Sequence, residues 1–471
     1  MDYGQLRPER NCRQRMSEQN EFDFEQGDSR TAELLTGLMN RAERILVKKL
    51  SNNDRDWAKC TNKHQGGVYI SAEQRDGGFF PPLAVKERDD PRGADIREAW
   101  FSTLWPQAKV GDREKRSRIV HYTSKGPETH VTRLPKDPFA WLSPASFMVM
   151  GRLKGDGEPV YECLTVNSAA EEADFLADLF EIGPDFLVGE FEPSALKAKE
   201  HERVLDFVEQ LIGAWMAGTI SSFAREHAVM PPTEALARMA REAFLKQNSM
   251  EQLNPFEMEC PGNALREISR SIEWDLFREF QRRERSVELV RIVLGDEPGS
   301  IEPPDVIRKL VDELPAIDAL MLSAAQQRKS RAGYSYEHHI EAMLIGGNIP
   351  FEKQVVIEAR KRPDFILPSQ IFVDSGKPEA SSGLILSAKT TLRERWKQVE
   401  REKGSRNLYL TTVDENIAGN AIKDMASIGV KLVIPESLME TKETEYEGHD
   451  NVLTFRKFCA EIVKPSMKYW H

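Results

Sequence analysis

Two stretches of this 471-residue chain decide the fold of its C-terminal part: RKRPDFILPS (360–369) and LILSAKTTLRERWKQVEREKG (384–404). In the first, Asp364 precedes three apolar residues that predict a short buried strand. In the second, an apolar run ends at Lys389, and a charged segment of helical character follows and ends at Glu402. The pattern predicts two strands, one carrying an acidic residue and the other ending in a lysine, with a basic helix behind them.

These residue types suit the hydrolysis of a phosphodiester bond with a divalent metal ion. Mg²⁺ prefers hard oxygen ligands, usually one or two carboxylates together with water and substrate phosphate. Asp364 supplies a carboxylate, and Lys389 can orient the attacking water and stabilise the charge that develops on phosphorus. Glu402, on a helix rising about 1.5 Å per residue, can fold back over the strand ends as a second carboxylate. Taken alone, the same residues also fit a turn, a buried strand and a solvated helix.

Four segments together resemble the catalytic domain of the EcoRII-type restriction endonucleases, which have the PD-(D/E)xK nuclease fold. These segments are 328–341 (RKSRAGYSYEHHIE), 361–369, 388–403 and 408–438. In this family the last carboxylate follows the lysine at a Lys-x(12)-Glu spacing, and here Ser387 stands where the motif otherwise has a strand carboxylate. The resemblance implies a nuclease core whose carboxylates hold Mg²⁺. The catalytic residues that it implies are Arg328, Glu337, Asp364, Lys389 and Glu402.

Base recognition is implied for the triplet Arg393-Glu394-Arg395, which follows Lys389 by four residues. Arginine donates two hydrogen bonds to guanine O6 and N7, glutamate accepts one from cytosine N4, and each good contact discriminates by about 1–3 kcal/mol. A charged helix face is the commoner meaning of such a triplet, and the surrounding motif is what favours recognition. A palindromic CC…GG-type site then implies a homodimer, because two-fold DNA matches a two-fold protein. The products would carry 5′-phosphates.

Bulk properties exclude other classes of protein. The net charge of −11 argues against a general nucleic-acid binder, but 389–406 is locally basic, with seven Lys or Arg against three Glu. The five cysteines are scattered without a Cys-x-x-Cys, which argues against a zinc site and predicts reduced thiols. The chain has no signal-peptide pattern, no apolar run of membrane-spanning length and no phosphate-binding glycine motif. These features predict a cytoplasmic protein that does not use ATP or a dinucleotide.

Composition divides the chain into four parts and predicts a multidomain protein. Residues 1–30 are polar and charged and predict a disordered tail. In 31–195, short apolar runs alternate with turns and predict a mainly β domain, with a hairpin within 144–166. Apolar residues at helical spacing predict a helical linker and support region over 196–325. Over 326–471 the pattern predicts strands near 354–358 and at 364–367, 384–389, 407–411 and 430–433, with helices at 391–403 and 415–428, which together form a mixed sheet flanked by helices.

The segment KKLSNNDRDWAKCTNKHQGGVYIS (48–71) resembles the start of the effector domain, a DNA-binding pseudobarrel that precedes the nuclease in EcoRII-type enzymes. The resemblance implies a type IIE enzyme, whose N-terminal domain binds a second copy of the site and relieves autoinhibition of the nuclease. The DNA contacts that it implies are Lys48, Lys49, Asn53, His64, Tyr69, Lys125 and Arg133. The loop 123–133 is shorter and less basic than the family pattern. A structural role for His64 and a merely solvated lysine pair at 48–49 stay open.

Two other functions fit the sequence. One is a DNA-binding regulator with an idle nuclease fold, against which the intact Asp364, Lys389 and Glu402 argue. The other is a nuclease for modified DNA, whose β domain reads the modification. The leading interpretation instead implies a cognate DNA methyltransferase as its functional partner. His338-His339 is interpreted as structural or substrate-facing and not as a metal-binding pair, because neighbouring helical residues point in different directions and no HExxH motif is present.

Overall fold

The structure, a computed structural model, describes residues 24–59, 66–86, 95–126, 128–300, 302–353, 363–392 and 407–470, without the side chains of 24–29, 125, 325 and 328–334. The chain divides into two compact units. The N-terminal unit extends to Ile182 and includes Phe186–Leu196. The C-terminal unit includes Gly183–Asp185 and the chain from Lys197 onward. The second division, at 196/197, lies next to the boundary predicted at 195.

The N-terminal unit is mainly β, as the sequence predicts. Helix α1 (Phe24–Arg41) leads directly into strand β1 (Ala42–Lys49). The other strands are β2 (Gly67–Ile70), β3 (Ala84–Val85), β4 (Ile96–Leu104), β5 (Glu114–Tyr122), β6 (Thr129–Thr132), β7 (Phe147–Leu153), β8 (Val160–Val166) and β9 (Val188–Phe191). The other helices are α2 (Asn52–Asp56), α3 (Ala72–Asp76), α4 (Asp137–Ala140) and α5 (Glu171–Phe180).

These strands form one nine-stranded sheet in the order β2-β6-β5-β4-β8-β7-β1-β9, with β3 paired to β4. Strands β4 and β8 run parallel, and the other pairs are antiparallel. The pairing of β7 with β8 confirms the predicted hairpin. Aromatic side chains such as Phe101, Trp105 and Tyr161 fill one core cluster. Residues of α1 and α5 pack with β1, β7 and β8 in a second cluster.

A run of helices begins the C-terminal unit. They are α6 (Pro193–Met216), α7 (Ile220–His227), α8 (Thr233–Gln247), α9 (Pro261–Glu267), α10 (Glu273–Leu294), α11 (Pro303–Asp312) and α12 (Leu314–Gly346). Helix α12 continues for 33 residues across the position 325/326, where the sequence predicts a domain boundary. The helical region and the α/β region therefore share one compact unit. None of the helices in the described part of the chain combines the length and apolar composition of a membrane-spanning segment.

A six-stranded mixed sheet follows. Its strands, in spatial order, are β10 (Glu352–Lys353), β11 (Phe365–Leu367), β12 (Leu384–Ala388), β13 (Asn407–Thr411), β14 (Val430–Ile434) and β15 (Val452–Thr454). The first three strands are antiparallel, and β12 to β15 are parallel. The accompanying helices are α13 (Gln370–Val373), α14 (Gly419–Ser427), α15 (Glu436–Met439), α16 (Phe455–Lys457) and α17 (Lys464–Ser466). The predicted strands at 364–367, 384–389, 407–411 and 430–433 and the helix at 415–428 are confirmed, whereas the strand at 354–358 and the helix at 391–403 lie outside the described residues.

Both faces of this sheet are covered. Phe365, Leu384 and Leu386 pack on one face with residues of α8, α9 and α12. Ile385 and Leu408 pack on the other face with residues of α14. Strands buried on both faces have continuous apolar sequences, which explains why β11 and β12 could be recognised. The charged side chains Asp364 and Lys389 flank these two strands, where the chain leaves the sheet.

The end of α12 approaches the backbone of a neighbouring loop. A Cβ atom on Gly346 would lie 2.7 Å from the carbonyl carbon of Leu253 and closer still to its oxygen. A backbone carbonyl cannot rotate away, so Gly346→Ala is expected to lower the free energy of unfolding by about 1–3 kcal/mol in urea titrations. Gly213 in α6 is the control, because nothing lies within 4 Å of its added Cβ. Gly213→Ala should stabilise by about 0.4–1 kcal/mol, and equal effects of the two changes would contradict this account.

Candidate active site

Strands β11 and β12 bring the predicted acid and lysine together. Their antiparallel register pairs Phe365 with Leu386, so Asp364 stands beside the end of β12. The backbone N–H of Ala388 donates to Asp364 Oδ2 at 2.7 Å. The ammonium of Lys389 donates to the same oxygen, with 2.8 Å between Nζ and Oδ2. Residues separated by 25 positions thus form one carboxylate–ammonium pair at adjacent strand ends.

The pair combines a fixed carboxylate with a partly accessible cation. Asp364 is buried, whereas the Lys389 side chain is 24% exposed. Among the described residues, both hydrogen bonds to Asp364 go to Oδ2. These two hydrogen bonds hold the carboxylate in one orientation through Oδ2. This geometry places a hard oxygen ligand beside a positive charge that has access to solvent.

A buried hydroxyl pair joins helix α12 to the strand next to Lys389. The hydroxyl of Tyr336 lies 2.9 Å from Thr411 Oγ1. Thr411 ends β13, and its carbonyl accepts the backbone N–H of Lys389 at 2.9 Å. Burial raises the pKa of Tyr336, so its hydroxyl keeps its proton. The sequence analysis did not find this pair, because 75 residues separate its members.

Glu337 follows Tyr336 on α12 and is buried. Helix α12 contacts β12, the strand that ends beside Lys389. The structure therefore places Glu337 on an element that packs next to the Asp364–Lys389 pair. Across the described ranges, no three His, Cys, Asp or Glu side chains come close enough together to hold a metal ion. Glu402, a predicted metal ligand, lies outside these ranges.

The same turn of α12 is also held by a hydrogen bond between a buried histidine and a glutamate of α10. His339 is fully buried, and its Nε2 lies 2.5 Å from Glu273 Oε2 of α10. Arg241 of α8 donates to the carbonyl of His338 at 3.3 Å. Desolvation lowers the pKa of His339 against the opposing effect of Glu273. His339 is thus a core side chain, as the sequence analysis interpreted it.

Asp414 is a buried acid that the sequence analysis missed. Its Oδ2 accepts the N–H of Leu392 at 2.7 Å, and its Oδ1 accepts the N–H of Asn416 at 2.9 Å. The hydroxyl of Tyr446 donates to its carbonyl oxygen. Burial raises the pKa of Asp414, although both backbone donors act in the opposite direction. This side chain fixes Leu392, the residue before the triplet implicated in base recognition.

In the N-terminal unit, Lys48 forms an internal ion pair. Its Nζ lies 2.8 Å from Asp54 Oδ2, and Asp54 also accepts the N–H of Tyr69 at 2.7 Å and caps α2 together with Ser51. Lys48 and Lys49 are 8% and 6% exposed. The alternative of a solvated lysine pair is therefore wrong. The ammonium of Lys48 is engaged by Asp54, and its contact with DNA stays a prediction.

Other predicted DNA contacts of this unit lie nearer to solvent. Asn53 and Arg133 are exposed, and Tyr69 is half-buried against His130 with 5.8 Å between ring centroids. The guanidinium carbon of Arg133 lies 4.8 Å from the ring centroid of Trp100. Lys125 belongs to a short 3₁₀ turn, Thr123–Lys125. A cation over an aromatic ring offers both charge and a flat surface, and both can contact nucleic acid.

Comparison with known proteins agrees with this architecture. The family model described as "EcoRII C terminal" matches residues 302–459. The type II restriction enzyme EcoRII of Escherichia coli is 32% identical over 435 residues, which is 89% of this chain and 93% of that relative. The chain belongs to the EcoRII family. It is therefore a type II restriction endonuclease, a site-specific deoxyribonuclease of a restriction–modification system.

Further matches lie within the same group of enzymes. The type II restriction enzyme SsoII of Shigella sonnei is 30% identical over 208 residues, which is 42% of this chain and 66% of that relative. A structure of metal-depleted Ecl18kI with uncleaved, modified DNA is 26% identical, with a TM-score of 0.43, and covers 53% of this chain and 82% of its own. A structure of a PspGI–substrate DNA complex is 18% identical, with a TM-score of 0.39. The match covers 51% of this chain and 94% of the PspGI chain.

Several residues predicted from the likeness to EcoRII-type enzymes lie outside the described part of this family member. They are His64, Arg393, Glu394, Arg395 and Glu402. Arg328 belongs to α12, nine residues before Glu337, and its side chain is likewise not described. The roles of these residues stay predictions.

Proposed function

We propose that this enzyme of the EcoRII family cleaves double-stranded DNA by Mg²⁺-dependent hydrolysis at a palindromic CC…GG-type site and leaves 5′-phosphates. One observation carries the proposal: the carboxylate of Asp364 and the ammonium of Lys389 meet at adjacent strand ends, 2.8 Å apart. Phosphodiester hydrolysis requires positive charge near the phosphate and an oriented water molecule. A fixed carboxylate beside a lysine serves both requirements.

The donor set suits a hard divalent cation. Asp364 supplies a carboxylate that Ala388 and Lys389 hold through Oδ2. Mg²⁺ is commonly bound through one or two carboxylates and keeps several water molecules. Asp364 and Glu402 are the proposed ligands, with Glu337 in support. When bound, the ion would shield the phosphate and lower the pKa of a coordinated water molecule.

The chain's own groups position the reactants. The N–H of Ala388 keeps the Asp364 carboxylate in one orientation. The Lys389 ammonium has three N–H donors, and the one that binds Asp364 leaves others for the attacking water and a phosphate oxygen. Arg328 supports the site from helix α12. Lys389 would thus stabilise the charge that develops on the phosphoryl oxygens in the transition state.

Sequence specificity is proposed to come from Arg393, Glu394 and Arg395, which read the CC and GG base pairs. Asp414 supports this role because it anchors Leu392, immediately before the triplet. Two copies of the chain would act as a homodimer, each cutting one strand of the palindrome. A cognate DNA methyltransferase would protect the host's own sites, and the enzyme would act in the cytoplasm.

The N-terminal unit is proposed to be a DNA-binding pseudobarrel that binds a second copy of the site and relieves autoinhibition, as in a type IIE enzyme. The helices of 196–325 would serve as its connection to the nuclease. Support comes from the exposed Arg133 over Trp100 and from the exposed Asn53. The proposed contacts are Asn53, His64, Tyr69, Lys125 and Arg133. Lys48 and Lys49 stay predicted contacts, although both are buried in this structure.

Cleavage of plasmid DNA tests this function. The full-length enzyme is expected to cut a plasmid with CC…GG-type sites into discrete fragments in Mg²⁺, because the metal completes the site. Addition of EDTA should leave the plasmid intact. A short duplex carrying the same site should accelerate cleavage, whereas a duplex with a scrambled site should not.

Each part of the proposal would be contradicted by a different experimental result. Intact plasmid in every lane, together with tight binding in gel-shift assays, would support a DNA-binding regulator instead. Cleavage of methylated plasmid alone would identify a nuclease for modified DNA. If discrete fragments form at the same rate with and without the added duplex, only the second-site role of the N-terminal unit would be contradicted.

A further inference from the structure

The hydroxyl group of Tyr336 is not needed to fill the core around its ring. Tyr336 is 1% exposed and lies in the apolar cluster between α12 and the sheet. A phenylalanine would fill this space without a polar atom to desolvate, and a buried hydroxyl destabilises a core unless it is hydrogen-bonded. Within the described part of the chain, its hydroxyl makes a hydrogen bond with Thr411 Oγ1, at 2.9 Å. The hydroxyl therefore serves the contact with Thr411 specifically.

Thr411 is in turn the residue that fixes the backbone of Lys389. Strands β12 and β13 run parallel, and Ala388 with Thr411 is the last registered pair. Immediately beyond it, the carbonyl of Thr411 accepts the N–H of Lys389 at 2.9 Å. From this anchored position the side chain of Lys389 reaches Asp364. One threonine thus faces Tyr336 with its side chain and Lys389 with its backbone.

The turn of α12 that carries Glu337 is held by two attachments. Tyr336 fixes it to the end of β13. His339, three residues later, is fixed to Glu273, and Arg241 binds the carbonyl of His338. Because a helix is rigid over one turn, these two attachments determine where Glu337 stands. Only the attachment through Tyr336 leads to the strand end that also positions Lys389.

We propose that Tyr336 is a positioning residue for DNA cleavage: its hydrogen bond to Thr411 sets the Glu337 turn of α12 in register with Lys389 and Asp364. This inference rests on the proposed function of the Asp364–Lys389 site. Tyr336 does not touch the substrate. It keeps two elements of the active site, a helix and a strand end, at a constant separation.

Tyr336→Phe tests the proposal, because it removes the hydroxyl and keeps the ring. Loss of a group that orients metal-site residues typically lowers activity or metal affinity about 10–100-fold. We expect the single-turnover cleavage rate to fall about tenfold or more, and the Mg²⁺ concentration for half-maximal rate to rise. DNA affinity without metal and the melting temperature should change little. A merely structural role would not move the Mg²⁺ dependence.

The partner residue provides a second, independent measurement. Thr411→Val removes the other hydroxyl and should reproduce the effect of Tyr336→Phe, whereas Thr411→Ser keeps the hydroxyl and should restore the rate. The double variant Tyr336→Phe/Thr411→Val should be no slower than either single variant, because both changes break one hydrogen bond. Multiplied effects in the double variant would overturn the proposal.

Tyr409 provides a matched control on the same strand. Its ring is buried, and its hydroxyl accepts from Lys431 Nζ at 3.4 Å without contacting Thr411. Tyr409→Phe should cleave like the unaltered enzyme. Unaltered Mg²⁺ dependence in Tyr336→Phe, while Asp364→Asn is inactive, would overturn the positioning role and leave the proposed active site in place. Full cleavage by Asp364→Asn would overturn both.

Discussion

Asp364→Asn is expected to lower the single-turnover rate of plasmid cleavage by about 10³-fold or more, because metal-ion catalysis contributes several kcal/mol and each 1.36 kcal/mol is a factor of ten. The amide keeps the shape of the side chain and can still accept the N–H of Ala388. It loses the negative charge that would hold Mg²⁺ and attract Lys389. Binding of site-containing DNA in gel shifts should persist.

The control for this change is another aspartate of the same sheet region. Asp374 is exposed at the end of α13, ten residues beyond Asp364. Asp374→Asn removes the same charge from the protein and should leave the cleavage rate unchanged. Melting curves of both variants should match that of the parent enzyme, since Lys389 is partly solvated and its ion pair adds little stability. Rapid cleavage by Asp364→Asn would place the chemistry elsewhere.

Asp54→Ala is expected to lower the free energy of unfolding of the N-terminal unit by about 3–5 kcal/mol, the usual effect of removing one partner of a buried ion pair. The ammonium of Lys48 would remain in the interior without its carboxylate. The N–H of Tyr69 would also lose its acceptor, and α2 would lose its capping box. Scanning calorimetry of the full-length enzyme measures this change as a shift of the first transition.

Two further variants separate the ion pair from the rest of this change. Lys48→Met combined with Asp54→Leu removes both charges and should recover part of the lost stability, because no unpaired charge remains. Glu158 forms a surface ion pair with Arg116, and Glu158→Ala should leave the transition nearly unchanged. If Asp54→Ala behaved like Glu158→Ala, the buried pair would not contribute as described.

Sequence patterns were sufficient for strands β11 to β14 of the nuclease sheet and for its acid–lysine pair. Strand β11 is apolar throughout and β12 is apolar except for Ser387, because both faces are buried, and a charged residue flanks each strand. Asp364 and Lys389 therefore stood out. The short β15, with three residues, carries too few positions for a periodic signal.

The same patterns could not predict contacts between residues that are far apart in the sequence. Tyr336 and Thr411 are separated by 75 positions, and nothing local distinguishes Tyr336 from a core phenylalanine. Lys48 was interpreted as a DNA contact or as a solvated residue, because lysines are seldom buried, and no sequence pattern indicated its ion pair with Asp54. The change to an α/β pattern at 326 suggested a boundary there, although this position lies within a continuous helix.

The continuity of α12 bears on how this enzyme can be divided into fragments. A fragment beginning at residue 326 would cut the helix and discard its first twelve residues, Leu314 to 325. The core against which α12 and the sheet pack also includes Ala240 and Phe244 of α8 and Leu265 of α9. The smallest self-sufficient nuclease therefore starts upstream of α8. We expect viable recombinants between family members to keep the gene segment that encodes α8 through the nuclease sheet intact.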